Sequence, residues 1–355
     1  MDEQFDVSVV ISTYNRCDIL PGALESVLAQ ETGEARYELI VVDNNSTDHT
    51  REVVESFSTC GHGNVRYLFE RQQGLSHARN AGIACARAPI IAFTDDDVRV
   101  ARDWVAAIKR AFDEHPEVDF VGGKVLPRWE TGPPAWLVSN MHWSPLALID
   151  YGDSPFYVNA EKAICLVGAN LAFRRGAFEQ VGLFSPVCQR VKDGVGSTED
   201  HELLARFWRC QRQGLYAPHI TVEAEVQAER MTKRYHRRWH TGHGKFCALM
   251  QLEDLERSTA GRLFDVPAHL YRRSLSNLAG WAGSALRRDH ARALKYEAEL
   301  RFFAGFFRQR REDFFADDQG GSVREIATFL RSLLINLNRR NAPVKIDGDK
   351  SQTLP

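Results

Sequence analysis

The sequence predicts an α/β domain, a mostly parallel sheet flanked by helices, followed by a basic helical appendage. Three observations carry this. Five short β-branched runs, Val7 to Ile11, Leu39 to Val42, Val65 to Leu68, Ile90 to Phe93 and Val118 to Val121, alternate with helical patterns in the first 125 residues. Three of those runs lead into polar residues: Ser12, Thr13, Tyr14 and Asn15 after the first, Asp43 after the second, and Asp95, Asp96 and Asp97 after the fourth. In an open parallel sheet such strand ends share one crevice, where ligands bind. Charge is also split, with 21 Lys+Arg against 32 Asp+Glu over residues 1–228 and 24 against 15 over residues 229–355.

The first helix is expected from near Asp18 and Pro21, with Leu20, Leu24, Val27 and Leu28 on one face, stopping before Gly33. Asn44 to Asp48 reads as a turn leading into a helix. Further helices are expected over roughly Ser76 to Ala86 and from Trp104 to His115, before Pro116. Between Pro127 and Pro155 the periodicity is lost among Trp129, Trp136, Trp143 and several Gly and Pro, the composition of a long loop or lid. Order returns with Ile164 to Phe173, a helix from Gly176, the Gly-rich stretch Lys192 to Ser197, a helix from Thr198 that Gly214 closes, and a strand near Ile220 to Val226. From Glu229 the chain is Arg-rich and helical, with apolar spacing at Leu263, Val266 and Leu270 and clustered Phe302, Phe303, Phe306 and Phe307. The expected division is a domain over residues 1–245, a basic helical region over 246–340 and a disordered tail over 341–355.

A chain of 355 residues that is 44% hydrophobic can bury a full core. The acidic start MDEQFD lacks an apolar signal core and no 18 apolar residues run together, so a cytoplasmic protein is expected. Seven cysteines without a CxxC pair suit free thiols better than a disulfide frame or a zinc site. The acidic first part argues against a nucleic-acid groove, while the basic remainder suits phosphates, an anionic membrane surface or an acidic partner, or simply wet helix faces.

Adjacent carboxylates repel, so Asp95, Asp96 and Asp97 at a strand end imply a positive occupant, most simply Mg²⁺ or Mn²⁺ carrying a diphosphate. The alternative is a solvated acidic turn that caps the helix near Trp104. There is no GxGxxG after the first strand and no GxxxxGK[ST], so a glycine loop does not cradle the phosphates. Asp43 can accept from a base N–H or ribose hydroxyls, while Ser46 and Asp48 read as helix caps. Tyr14 can stack on a nucleobase or simply pack. Arg79 and Asn80 lie in a helix of small residues that permits close approach, with Arg79 placed to reach a diphosphate. Glu199 and Asp200 open a helix within Ser197-Thr198-Glu199-Asp200, a capping-box pattern. The flexible Gly194-Val195-Gly196 lead-in can instead deliver a carboxylate to the crevice as general base.

Taken together, VSVVISTYNR, ELIVVDNNSTD, GLSHARNAG, IIAFTDDD, LVGANLAFRR with AFEQVGLF, and STEDHELLAR occur in the order found in family 2 glycosyltransferases, inverting enzymes of GT-A fold, and residues 6–245 resemble that family. The resemblance implies Tyr14, with Asn15 beside it, and Asp43 at the nucleotide base, Arg79 by the diphosphate, Asp95 on ribose, Asp96 and Asp97 at a Mg or Mn ion, and Asp200 as catalytic base supported by Glu199. It implies transfer from a nucleotide sugar, foremost a UDP-sugar, to a hydroxyl of a polysaccharide or lipid-linked glycan acceptor in bacterial surface glycan synthesis. Peripheral contact with anionic membrane and no nucleic-acid partner accompany that reading. Relatives often place a histidine after the last core strand; this chain has Glu223, Ala224 and Glu225, with His219 upstream. Two other classes are open: a nucleotidyltransferase, which would need a Gly- and Lys-rich loop where STYNRCD stands, and a non-catalytic scaffold that keeps the fold.

Overall fold

Four parallel strands form the first half of the sheet. β1 (Val7–Thr13) pairs with β2 (Tyr37–Asp43) on one side and β4 (Ile90–Asp95) on the other, and β2 pairs with β3 (Val65–Phe69). The crossovers are α1 (Leu20–Leu28), α2 (Thr50–Thr59) and α3 (Leu75–Cys85). The computed structural model describes residues 5–59, 65–191, 194–196, 198–250 and 261–316, and the chain divides into two compact units, Met1–Met250 and Gln251–Pro355. The strand runs are β-branched because both faces are covered: Val7, Val9, Val10 and Ile11 of β1 are all buried. α3 can lie close on the sheet because Gly82 faces Val10, where a Cβ would collide with the valine methyl.

Past β4 the sheet turns mixed. β5 (Val98–Val100) follows the Asp triplet, α4 (Trp104–Glu114) covers one face, and β6 (Phe120–Trp129), β7 (Phe156–Val158), β8 (Leu171–Arg174) and β9 (Gly214–Val226) complete the sheet with α5 (Ala177–Val181) and α6 (Glu199–Arg209). The order is β3-β2-β1-β4-β8-β6-β9-β5, with β7 on β9. β8 runs antiparallel to both β4 and β6, whereas β6 and β9 are parallel. Phe93, Phe120, Phe173, Phe184 and Phe207 fill the space beneath this half, with Phe120 and Phe173 each 5.4 Å from Phe207.

Several expectations are corrected. Gly214 does not close a helix: α6 ends at Arg209 and Gly214 opens β9, pressed on the Phe120 ring where no Cβ fits. β9 therefore starts six residues before Ile220, and Ile164 to Phe173 holds a 3₁₀ turn before the four residues of β8. The aperiodic stretch after Pro127 continues β6 to Trp129, then forms three 3₁₀ turns. It is tied down by Trp143 Nε1 donating to the Leu137 carbonyl at 3.0 Å and by reciprocal backbone bonds of 2.9 Å between Val125 and Ile149. Polar anchoring, invisible to hydrophobic periodicity, orders it.

In the second unit, Leu263 and Val266 are not helical but pair across a two-residue hairpin, β10 (Arg262–Leu263) and β11 (Val266–Pro267). Phe264 and Asp265 at its tip have φ of 50° and 56°, as a primed turn requires. The Asp265 carboxylate offsets that strain by accepting from Arg262 at 2.9 Å and from buried Arg310 at 3.1 Å. α8 (Ala268–Leu286) and α9 (His290–Ala316) pair, and of the phenylalanine cluster Phe303 and Phe306 are buried whereas Phe302 and Phe307 are half-buried. The tail over 341–355, and Lys192, Asp193 and Ser197 of the Gly-rich stretch, lie outside the described residues.

α7 (Lys233–Met250) closes the first unit and carries His236, which is 4% exposed and meets the Trp136 ring edge-on at 4.7 Å. Burial, helped by nearby His240 and His142, pulls its imidazole down to about 3. The unfolded chain therefore binds a proton near pH 6.5 that the folded one refuses, so stability falls as pH drops from about 6.5 toward 3. Replacing His236 by Phe removes this term. We expect urea denaturation to show His236→Phe gaining about 1–2 kcal/mol on the native chain when pH is lowered from 7 to 5; an unchanged difference refutes the assignment.

Candidate active site

A cavity of about 870 Å³, the size of small-molecule sites (~300–1,000 Å³), opens at the C-terminal ends of the parallel strands. Ser12, Thr13, Tyr14 and Asn15 at the end of β1 form one wall. Asn15 is held left-handed, φ 49°, because its N–H donates to Ser46 Oγ at 2.9 Å and its Oδ1 accepts the Thr47 N–H at 2.7 Å. Asp48 accepts from Thr50 N–H at the start of α2, so it is a cap as expected. Asp43 is 2% exposed and does not line the cavity: its Oδ1 accepts the Ser46 N–H at 2.9 Å and its Oδ2 the Tyr67 hydroxyl at 2.7 Å. It supports the wall from behind.

Asp95 ends β4, and Asp96 and Asp97 make the turn into β5. The triplet is not a solvated cap: Asp96 and Asp97 are each 8% exposed, and Asp103, not the triplet, precedes α4. The charge is met by arginine. Arg16 Nη1 lies 3.4 Å from Asp96 Oδ1 and donates to Asp97 Oδ2 at 2.8 Å, and Arg230 Nη1 is 3.5 Å from Asp97 Oδ2. Burial pushes the Asp96 carboxyl up to about 7 against the pull of Arg16, whereas burial of Asp97 is outweighed by Arg16 and Arg230, which hold it below the usual range. Arg230 also donates to the Leu146 carbonyl at 3.2 Å, joining the aperiodic segment to the triplet. Arg190 and Arg234 line the same cavity.

Arg79 sits beneath, 3% exposed, and does not line the cavity. Its Nη1 donates to Asp200 Oδ1 at 2.5 Å and lies 3.8 Å from Glu199 Oε1; its Nη2 lies 3.6 Å from Asp95 Oδ1. Burial disfavours its charge, but Asp200, Asp95 and Glu199 outweigh that and raise its pKa. The rings of Phe184 and Phe93 lie under the guanidinium at 5.2 and 5.9 Å. Asp200 Oδ2 accepts the Gly168 N–H at 2.8 Å, and a Cβ at Gly168 would strike Arg79. Thr198, which precedes the helix, makes no side-chain cap bond and its Oγ1 is buried without a partner, while Ser197, the first residue of the capping-box pattern, lies outside the described residues. Glu199 is 5% exposed, its Oε2 unpartnered, and burial followed by the neighbouring Asp200 raises its pKa.

The fold thus brings together Tyr14, Asn15 and Asp96 at the cavity, and Asp95, Arg79, Glu199 and Asp200 in one ion-pair cluster, in which the Asp95 and Asp200 side chains stay 31% and 18% exposed around buried Arg79. Sequence reasoning missed Arg16, Arg190 and the role of Gly168. Arg16 directly follows the polar strand end and Gly168 lies in LVGANLAFRR, so position was a signal; Arg190 lies in a stretch without a pattern.

Residues 8–182 match the family described as Glycosyl transferase family 2. A glucosyl-dolichyl phosphate glucuronosyltransferase of Haloferax volcanii is 28% identical over 218 residues, covering 56% of this chain and 67% of the relative. Mannosyltransferase PcManGT from Pyrobaculum calidifontis, solved with GDP-Man and Mn²⁺, superposes with TM-score 0.53 at 18% identity, over 95% of this chain and 81% of its own. S. aureus TarS residues 1–349, solved with UDP, does so with TM-score 0.50 at 17% identity, over 90% and 93%. At such identities the structural likeness is one of fold. The sequence match and that fold agree: residues 8–182 belong to glycosyltransferase family 2, and the chain is a glycosyltransferase of GT-A type.

Proposed function

We propose that the chain is an inverting, metal-dependent enzyme moving a sugar from a nucleotide sugar, foremost a UDP-sugar, to a hydroxyl of a polysaccharide or lipid-linked glycan. The observation that carries this is the cavity itself, with carboxylate Asp96 and the arginines Arg16, Arg190, Arg230 and Arg234 on its lining. That mixture suits a diphosphate and its counter-cation. Two named neighbours, solved with GDP-Man and Mn²⁺ and with UDP, support it.

The residues fit a divalent ion. Asp96 and Asp97 are adjacent hard oxygen donors, and among the described residues no group of three or more His, Cys, Asp or Glu side chains could hold a metal alone. Mg²⁺ and Mn²⁺ suit one or two carboxylates completed by water and phosphate oxygens. When bound, the ion neutralises charge on the leaving diphosphate. Tyr14 and Asn15 face the nucleoside, Asp95 takes the ribose, and Asp43 holds the wall.

Asp200 is the general base. Gly168 and Arg79 take one lone pair on each of its oxygens and aim it, leaving acceptor capacity for a substrate hydroxyl. The hydroxyl oxygen attacks the anomeric carbon, its proton passes to Asp200, and the nucleoside diphosphate leaves from the opposite face, inverting configuration. Arg79 stays beneath as an anchor, with Glu199 as its second carboxylate; this moves Arg79 from the diphosphate role that the resemblance implied.

A peripheral contact with anionic membrane suits a lipid-linked acceptor. No helix among the described residues is long and apolar enough to cross a membrane. α8 exposes Leu275, Leu278, Trp281 and Leu286 beside exposed Arg272, Arg287 and Arg288.

Three outcomes are expected. Nucleoside diphosphate release in a donor screen stops with EDTA and returns with Mn²⁺ or Mg²⁺; full activity after rigorous chelation defeats metal dependence. Asp200→Asn, and Gly168→Ala to a lesser degree, lower turnover by about 10²–10⁴ while donor affinity measured by calorimetry changes little; near-normal turnover returns Asp200 to a structural role. In vesicle flotation, full-length protein binds anionic but not neutral lipid, less at high salt, and Leu278→Ala with Trp281→Ala weakens it; equal indifference to both lipids removes the membrane.

A further inference from the structure

Arg16 stands where the cation of the proposed reaction belongs. Its Nη1 reaches both carboxylates, 3.4 Å from Asp96 Oδ1 and 2.8 Å from Asp97 Oδ2. A guanidinium and a divalent ion compete for that pair, since two positive charges a few ångströms apart in a partly buried site repel strongly.

The backbone of Arg16 is fixed, while its side chain reaches into the cavity. The Arg16 carbonyl accepts the N–H groups of Ile19 at 3.1 Å and Leu20 at 3.0 Å, opening α1, and Asn15 before it is locked by Ser46 and Thr47. Yet 31% of the Arg16 side chain is exposed, and it lines the same cavity as Arg190, Arg230 and Arg234. Rotation about its own side-chain bonds can carry the guanidinium off the carboxylates and into the cavity without moving β1.

Resting on the metal-dependent reading above, we propose that Arg16 is the resident counter-ion of Asp96 and Asp97, displaced onto the diphosphate when cation and nucleotide arrive together. Cation alone must evict Arg16 and leave it unpaired. Nucleotide supplies the guanidinium with new phosphate partners, so each ligand strengthens the other by the same factor. Arg16 is therefore a positioning residue that keeps the acidic pair closed to free metal and opens it to the metal complex of the donor.

The test is a Mn²⁺ titration of the full chain, following free ion by electron paramagnetic resonance, alone and with UDP or GDP. Arg16→Met and Arg16→Gln remove the charge; Arg16→Lys retains it. Without nucleotide, the Met and Gln variants should bind Mn²⁺ about tenfold tighter than the native chain, within the ~5–150-fold range of such couplings. The Lys variant should stay near native. The gain in Mn²⁺ affinity on adding nucleotide should shrink in the Met and Gln variants by that same factor. Met and Gln variants that bind Mn²⁺ no tighter than native overturn the proposal while leaving metal dependence intact. A native chain that takes no Mn²⁺ even with either nucleotide overturns both. If both neutral variants lose their fold by circular dichroism, Arg16 is a structural staple and the proposal falls.

Discussion

The buried guanidinium of Arg79 is the constraint on which the site depends. Taking a cation out of water costs several kcal/mol unless its donors are matched. Here the match comes from three carboxylates on two distant segments: Asp95 at the tip of β4, and Glu199 and Asp200 at the start of α6. Loss of Arg79 would leave three crowded carboxylates without their shared cation, so this one guanidinium holds the helix start and the strand tip together. The same contact explains why Gly168 has no side chain. Its N–H must reach Asp200 through the space a Cβ would take from Arg79.

The two ends of the parallel strands treat carboxylates differently. At the entry end, Glu38 is 1% exposed and saturated, accepting from Ser8 at 2.7 Å, the Arg87 N–H at 2.7 Å and Arg66 at 3.0 Å. Buried and bonded on both oxygens, it is closed off from a ligand by the fold around it. At the exit end the accounts do not close within the chain: Asp96 is pushed up to about 7, mainly by burial, and Glu199 Oε2 has no partner. Partly satisfied acids beside a cavity lined by arginines are poised to gain from a charged ligand.

Arg230 extends this logic to the segment after Pro127. One guanidinium touches Asp97 and the Leu146 carbonyl, so a change of charge at the acidic pair is felt where the chain lacks regular structure. Trp136 of that segment packs on His236 of α7, and α7 supplies Arg234, Tyr235 and Arg238 to the cavity wall. The irregular segment and the helix are parts of one wall, linked by a neutral imidazole.

The sequence alone determined the α/β class, the parallel half of the sheet and the crevice, because strand runs buried on both faces must be β-branched and their ends must turn polar. Asp95, Asp96 and Asp97 stand out in the sequence because acids crowded at a strand end are costly unless something positive meets them, whereas Glu199 and Asp200 stand out only through the glycine-rich lead-in and the family resemblance. The antiparallel half was only partly visible: β8 is four residues long, too short to leave much periodicity, and the glycine that opens the 13-residue β9 reads in sequence as a helix stop. Only the tertiary structure decided which cation meets which acid. Arg16 and Arg79 both precede the triplet in sequence, yet one stands on Asp96 and Asp97 beside the cavity and the other lies buried under Asp95 and Asp200. Asp43 follows the same rule: only the fold brings the Tyr67 hydroxyl and the Ser46 N–H onto its two oxygens. Pairing of charges depends on distance and burial, and distances between residues 80 or 121 positions apart exist only once the chain has folded.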